Sequence, residues 1–240
     1  MAPVGIIIGG AGGIGSALAR RLAGAGWRLH LLGRTEAPLA ALARELGADV
    51  TVVDVREAEA LKAAVAAIDG PVAGLAYAVG TIALKPVARV TAADALADFQ
   101  INALGALAAI QGALPGLKAG AGRVVLFSSV AVAQGFANHA SIAMAKGAVE
   151  GLTRALAAEL APQVRVNCIA PSLTDTPLAT SLTANAQMAS AIAGLHPLQR
   201  LGTADDSAAA AAFLLSAEAG WITGQVLGVD GGRSTLRTKG

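Results

Sequence analysis

The sequence opens on an uninterrupted aliphatic run, Val4 to Ile8, that breaks into Gly9, Gly10, Gly12, Gly13 and Gly15 and resumes at helical spacing with Ile14, Leu18 and Leu22. A β-branched run, a glycine-rich turn and a period of about 3.6 residues specify strand, tight turn and helix in that order. The run is apolar at every position rather than at alternate ones, so both faces of the strand are covered, as in a parallel sheet sandwiched between helices. This one feature excludes an open antiparallel sheet with a solvated face.

The same alternation recurs along the chain. Strands are predicted at 28–32, 50–53, 75–79, 124–127, 164–169 and 226–229, and helices with apolar positions three or four apart at 37–46, 57–68, 93–114, 141–160 and 205–216. Right-handed crossovers then give an α/β, doubly wound, Rossmann-type fold: a parallel sheet of about seven strands with helices on both faces. All 240 residues are read as one domain. The one long insertion, 174–199, is rich in Thr, Ser and Ala; long insertions in compact domains often act as lids, and it is expected to cover the substrate.

A hydrophobic share of 55% and a mean hydropathy of +0.60 exclude disorder as the dominant state. Lys and Arg number 18 against 16 Asp and Glu, and neither sign forms a run, so no nucleic-acid groove is expected despite a pI near 9.0. The single cysteine, Cys168, has no disulfide partner and no companion for a metal site, which fits a reducing cytoplasm. No basic residue precedes Arg20, so the start lacks the charged region of a signal peptide. The uncharged stretch 124–145 is interrupted by Ser128, Ser129, Gln134, Asn138, His139 and Ser141, and is read as buried core, not as a membrane helix.

Free backbone N–H groups and the helix dipole make the N-terminus after a first strand an anion site, and glycine lets a pyrophosphate approach closely. Gly9, Gly13 and Gly15 have the spacing GxxxGxG, which also suits a tight turn packed against its helix. An NAD site usually ends its second strand on an acid that binds the ribose 2′-hydroxyl. Here that place reads Gly33-Arg34, and a guanidinium can neutralise a 2′-phosphate. NADP(H) is therefore preferred, with NAD(H) left open; Glu36 nearby, or Arg34 as a solvated loop cation, would weaken the preference.

Together with Asp54-Val55, Ile101-Asn102, Phe127-Ser128-Ser129-Val130, Lys146-Gly147-Ala148-Val149, Arg165 to Pro171, Thr223-Gly224-Gln225 and Val229 to Gly232, the turn resembles the short-chain dehydrogenase/reductase family over essentially the whole chain. The resemblance implies that Gly9, Gly13, Ile14 and Gly15 line the pyrophosphate, Arg34 the 2′-phosphate, and Asp54 and Val55 the adenine. It places Gly80 at the end of the fourth strand, Pro171 and Thr176 beside the nicotinamide, and Lys146 on its ribose. Asp54 and Asp230 otherwise read as strand-end caps and Thr176 as a hinge hydroxyl. The chain departs from the family at Ile8, usually threonine, at Ser172, usually glycine, and at Tyr77-Ala78-Val79-Gly80, usually Asn-Asn-Ala-Gly.

The family reduces carbonyls with four residues, and Asn102, Ser129 and Lys146 fall at three of those positions. The fourth, a tyrosine four residues before the lysine, is Ile142, which has no proton to give. His139 lies seven before Lys146, about 20° from it around a helix against about 40° for Ile142. The divergent enoyl-thioester reductases of the same superfamily carry their tyrosine at that spacing, so His139 is a candidate acid. It also reads as a loop residue capping the helix. His30 and His196 are assigned no chemistry.

The resulting expectation is an NADP(H)-dependent oxidoreductase acting on a small apolar carbonyl or alcohol or on an enoyl C=C bond. Its pocket would be lined by Leu173, Leu178, Leu182, Met188 and Ile192. The alternative is a non-catalytic NADPH-binding or scaffolding protein that lost its acid. A homotetramer or homodimer through helices 93–114 and 141–160 is implied by the resemblance.

Overall fold

The computed structural model describes residues 2–237. Seven parallel strands form the main sheet: β1 (Val4–Ile8), β2 (Arg28–Gly33), β3 (Asp49–Val52), β4 (Gly74–Tyr77), β5 (Arg123–Phe127), β6 (Arg165–Pro171) and β9 (Val226–Val229). Their order across the sheet is β3-β2-β1-β4-β5-β6-β9, so the direction of winding reverses between β1 and β4. β7 (Thr174–Asp175) and β8 (Gly202–Thr203) form a separate two-stranded ribbon.

The helices divide between the two faces as the all-apolar strands require. Ile6 and Ile8 of β1 face α3 (Ala58–Ala66), α5 (Gly105–Ala119) and α7 (Ala140–Leu160), while Ile7 faces α1 (Gly13–Gly24), α2 (Glu36–Leu46) and α10 (Ala204–Leu215). Each isoleucine is removed from water and contributes about 1.5–3 kcal/mol. α1 turns Leu18, Ala19 and Leu22 inward against the small residues Ala208 and Ala211 of α10.

The predicted helix 93–114 is in fact two. α4 (Ala92–Phe99) runs into a π-helical turn, Gln100–Leu104, and then into α5. The cause lies outside the helix: Tyr77, at the end of β4, donates its hydroxyl to the Ile101 carbonyl at 2.5 Å, and Gly105 leaves room for the ring. A Cβ on Gly105 would stand 2.2 Å from the Tyr77 Oη. Residues 78 and 79, expected in the fourth strand, lie beyond it, because β4 ends at Tyr77.

The uncharged stretch 124–145 is only partly core. β5, Ser141, Ile142 and Ala145 are buried, but between α6 (Val130–Ala133) and α7 the chain surfaces, and Gln134, Gly135, Ala137 and Asn138 are exposed. Among the described residues no helix is long and apolar enough to cross a membrane. The excursion at 174–199 carries α8 (Thr180–Thr183) and α9 (Ala186–Ala193).

Candidate active site

The C-terminal ends of β1, β4, β5 and β6 open on one cleft, where doubly wound folds place their ligands. At its floor, Gly9 takes φ +81°, and a Cβ there would lie 2.8 Å from the Ala78 carbonyl; a Cβ on Gly15 would lie 2.1 Å from the Gly9 carbonyl. Gly12, the residue capping α1, offers no side chain to its N-terminus. The N–H groups of Gly13, Ile14 and Gly15 begin a twelve-residue helix and have no intrahelical partners, so the turn suits a bound pyrophosphate. Thr176 is packed directly on Gly13, where a Cβ would come within 2.6 Å of its Cγ2.

Arg34 emerges exposed from the end of β2, with no acidic side chain in the Asp or Glu position of an NAD site. Asp54 holds a two-pronged ion pair with Arg56, 2.6 Å at its shortest, and also accepts the Arg56 backbone N–H at 3.0 Å. The Arg56 hydrogen bonds, with a smaller pull from Arg34, keep the Asp54 carboxyl below its ordinary range. Val55 turns its side chain into the core.

Above the turn lies a cavity of about 430 Å³ whose wall includes Ile14, Gly80, Ser129, His139, Ile142, Lys146, Pro171 and Thr176. Seven of the fourteen residues singled out from sequence thus line one cavity, while Gly9, Gly13, Gly15, Arg34, Asp54, Val55 and Asn102 lie outside its wall. Lys146 is 7% exposed and donates to the Phe127 carbonyl at 2.8 Å. Burial pushes its ammonium down to about 8, against smaller opposing pulls from Cys168 and Asp98. Burial in turn pushes the Cys168 thiol up to about 12, which makes it an inert core residue.

Ser129 caps α6, its Oγ accepting from Ala131 N at 3.2 Å. Its hydroxyl proton remains free for a ligand. Asn102 is buried on the π turn, where its amide donates to Asp98 O at 2.8 Å and to Thr81 Oγ1 at 3.1 Å. Its Oδ1 has no partner and faces Gly80, beside Lys146 Nζ. His139 caps α7, with Nδ1 2.7 Å from the Ala137 carbonyl. A carbonyl can only accept, so Nδ1 carries hydrogen and Nε2 is the atom left to exchange a proton.

Tyr77 is the only tyrosine of the chain. It is buried, occupied by Ile101, and its phenol is pushed far above its ordinary value by that burial, so it is not a substitute acid.

Three features escaped the sequence. Thr81, Asp98 and Ser141 form a buried chain, Thr81 Oγ1 to Asp98 at 2.7 Å and Ser141 Oγ to Asp98 at 2.5 Å, that fixes α4 against α7. Ser172 is bonded to His196 at 2.7 Å, while His196 Nδ1 lies 2.9 Å from the Ile192 carbonyl; this histidine, given no chemistry from sequence, ties α9 to the end of β6. Arg233 enters the cavity wall from beyond β9. Met188, expected in the wall, is on the outer side of α9 and exposed, and Leu195 takes part instead. Asp230 is a strand-end cap, accepting from Gly232 N at 2.9 Å and Ser234 N at 3.0 Å.

This seven-stranded sheet with its glycine turn is the arrangement of a nicotinamide-dependent oxidoreductase fold. The family profile described as Enoyl-(Acyl carrier protein) reductase matches residues 9–234, and the chain belongs to the short-chain dehydrogenase/reductase family. It is 32% identical to L-xylulose reductase of Bos taurus over 231 residues, 95% of this chain and 94% of that one. A short-chain type dehydrogenase/reductase from Mycobacterium ulcerans superimposes with a TM-score of 0.92 at 30% identity, covering 98% of this chain and 90% of that one. A gluconate 5-dehydrogenase from Burkholderia cenocepacia, solved in complex with NADP and tartrate, gives 0.91 at 30% identity, covering 98% and 96%.

Proposed function

We propose that the chain is an NADP(H)-dependent oxidoreductase interconverting a carbonyl and an alcohol, with His139 in place of the missing tyrosine. The observation that carries this reading is that His139, Ser129 and Lys146 line one cavity, with Ile142 in the same wall. A bound nicotinamide supplies or accepts the hydride. Ser129 donates its hydroxyl to the substrate oxygen, and His139 in its doubly protonated form gives the Nε2 proton to that oxygen as it becomes an alcohol, leaving the neutral ring with its hydrogen on Nδ1. Lys146, anchored on Phe127, turns its remaining N–H donors to the cofactor ribose.

The preference for NADP(H) is supported by exposed Arg34 and by the NADP held in the gluconate 5-dehydrogenase. Residues 174–199 act as the substrate lid within a single domain, since Leu178, Leu182 and Ile192 form one side of the cavity. Leu96, Leu104 and Met144 are exposed on α4, the π turn and α7, the surface through which a homodimer or homotetramer would form.

The test is a comparison of wild type, His139→Gln and Ile142→Tyr with NADPH and a panel of ketones and enoyl thioesters. His139→Gln is expected to lower kcat at least a hundredfold with NADPH affinity unchanged. Undiminished turnover in His139→Gln removes His139 from the reaction. NADPH binding without turnover of any panel member in wild type points to a cofactor-binding protein.

A further inference from the structure

The cavity wall contains Lys146, Arg233 and His139, and among the described residues no aspartate or glutamate. Lys146 belongs to the cofactor side in the reading above. Arg233 does not, and nothing in that reading uses it.

Five arginines, Arg20, Arg21, Arg56, Arg154 and Arg200, are matched by carboxylates. Arg233 has no carboxylate or carbonyl on its guanidinium among the described residues. Its contact is with Phe136, the guanidinium carbon lying 4.8 Å from the ring centroid. Phe136 in turn meets the His139 ring edge to face at 5.3 Å. An aromatic face takes no hydrogen bond from the cation's donors, so the planar fork stays open.

The position of the arginine is built, not incidental. Asp230, the one carboxylate close along the chain, is occupied by Gly232 N, Ser234 N and the Ser234 hydroxyl, and its carbonyl accepts Arg233 N at 3.2 Å. Gly231 and Gly232 adopt φ of +62° and +85°, the left-handed pair that bends the chain back over Pro197. A Cβ on Gly232 would come within 2.9 Å of Leu236 and 3.1 Å of Pro197. The turn therefore presents a half-buried guanidinium to a largely apolar cavity.

A neutral ligand entering there would strip water from this cation and leave it unmatched, whereas a carboxylate would meet the fork through two parallel hydrogen bonds. We infer that the ligand of this cavity is an apolar chain ending in a carboxylate, and that Arg233 is the residue that selects it. The inference rests on the oxidoreductase reading only in calling that ligand the substrate.

The test is a binding measurement that needs no turnover. Straight-chain oxo-carboxylates of four to ten carbons and their primary amides are titrated calorimetrically into NADP-loaded wild type, Arg233→Gln and Arg233→Lys. NADPH affinity is followed separately by nucleotide fluorescence, which also reports that each variant is folded. The expected result is at least a tenfold preference of wild type for an acid over its amide, lost in Arg233→Gln and partly kept in Arg233→Lys. The proposal is overturned if no acid binds better than its amide to wild type, if the preference survives Arg233→Gln, or if acyl-phosphopantetheine thioesters bind through Arg233 and free carboxylates do not. NADPH binding without acid preference rejects this inference alone, and acid preference without turnover rejects the catalytic reading alone.

Discussion

Tyr77→Phe, Gly105→Ala and the double variant form a cycle whose outcome follows from one short distance. Removing the Tyr77 hydroxyl leaves the Ile101 carbonyl of the π turn without its donor, a loss of about 1–2 kcal/mol. Gly105→Ala gains up to about 1 kcal/mol of helix propensity but drives a methyl to 2.2 Å from the Tyr77 Oη, and overpacking of this kind costs about 1–3 kcal/mol. With the oxygen gone, the nearest atoms to the new methyl are the ring carbon at 3.1 Å and the Val55 carbonyl at 3.3 Å, which shifts of a few tenths of an ångström relieve. The double variant should then be more stable than the sum of the single losses predicts, by about 1 kcal/mol or more. Guanidinium denaturation of the four proteins measures this, and for a chain of this length each kcal/mol moves Tm by about 2–4 °C. Additivity within about 0.5 kcal/mol would show that Tyr77 does not occupy the space that Gly105 leaves.

Lys146 gives a pH signature. Its folded-state value of about 8 lies below the ordinary 10.5, so the unfolded chain binds more protons between those limits and stability rises with pH across them. Wild type should gain about 3 kcal/mol over Lys146→Met from pH 8 to 10.5 in chemical denaturation; a pH-independent difference refutes the burial argument. Arg34→Ala should weaken NADPH binding tenfold or more and leave NADH nearly unchanged in fluorescence titration, and equal losses for both would deny Arg34 the 2′-phosphate. Arg165 holds the carbonyls of Leu214, Ser216 and Ile222 at 2.9–3.1 Å, so Arg165→Met should cost about 2–3 kcal/mol, read by thermal unfolding.

What the sequence discloses here is set by how local the cause is. The inner strands β1, β4, β5 and β6 could be read because each is an apolar run buried along most of its length, while the edge strands β3 and β9 are partly exposed; the glycine turn could be read because its spacing is dictated by backbone geometry within a few residues. Asn102, Ser129 and Lys146 could be located because the motifs around them resemble those of the family, and His139 because its offset of seven residues puts it on the face of Lys146 along one helix. The break in the helix at Gln100–Leu104 could not, since it depends on a tyrosine some twenty residues earlier across the sheet. Arg233 was illegible for a similar reason: after Gly231 and Gly232 the direction of the chain hangs on two positive φ angles and on a carboxylate cap. The Ser172–His196 bond and the outward turn of Met188 are likewise set by how α9 docks.

The strand order bears on how the molecule is made. β1, which precedes the other strands of this sheet along the chain, ends in its interior, flanked by β2 on one side and β4 on the other. Once the chain has been synthesised past Tyr77, β3, β2, β1 and β4 can already lie side by side as one continuous sheet. Each later strand, β5, then β6, then β9, joins the edge formed by the strand just before it in that sheet. Growth in the direction of translation therefore never requires a strand to be inserted between two that have already paired, which limits the time that parallel edges stand open to neighbouring nascent chains.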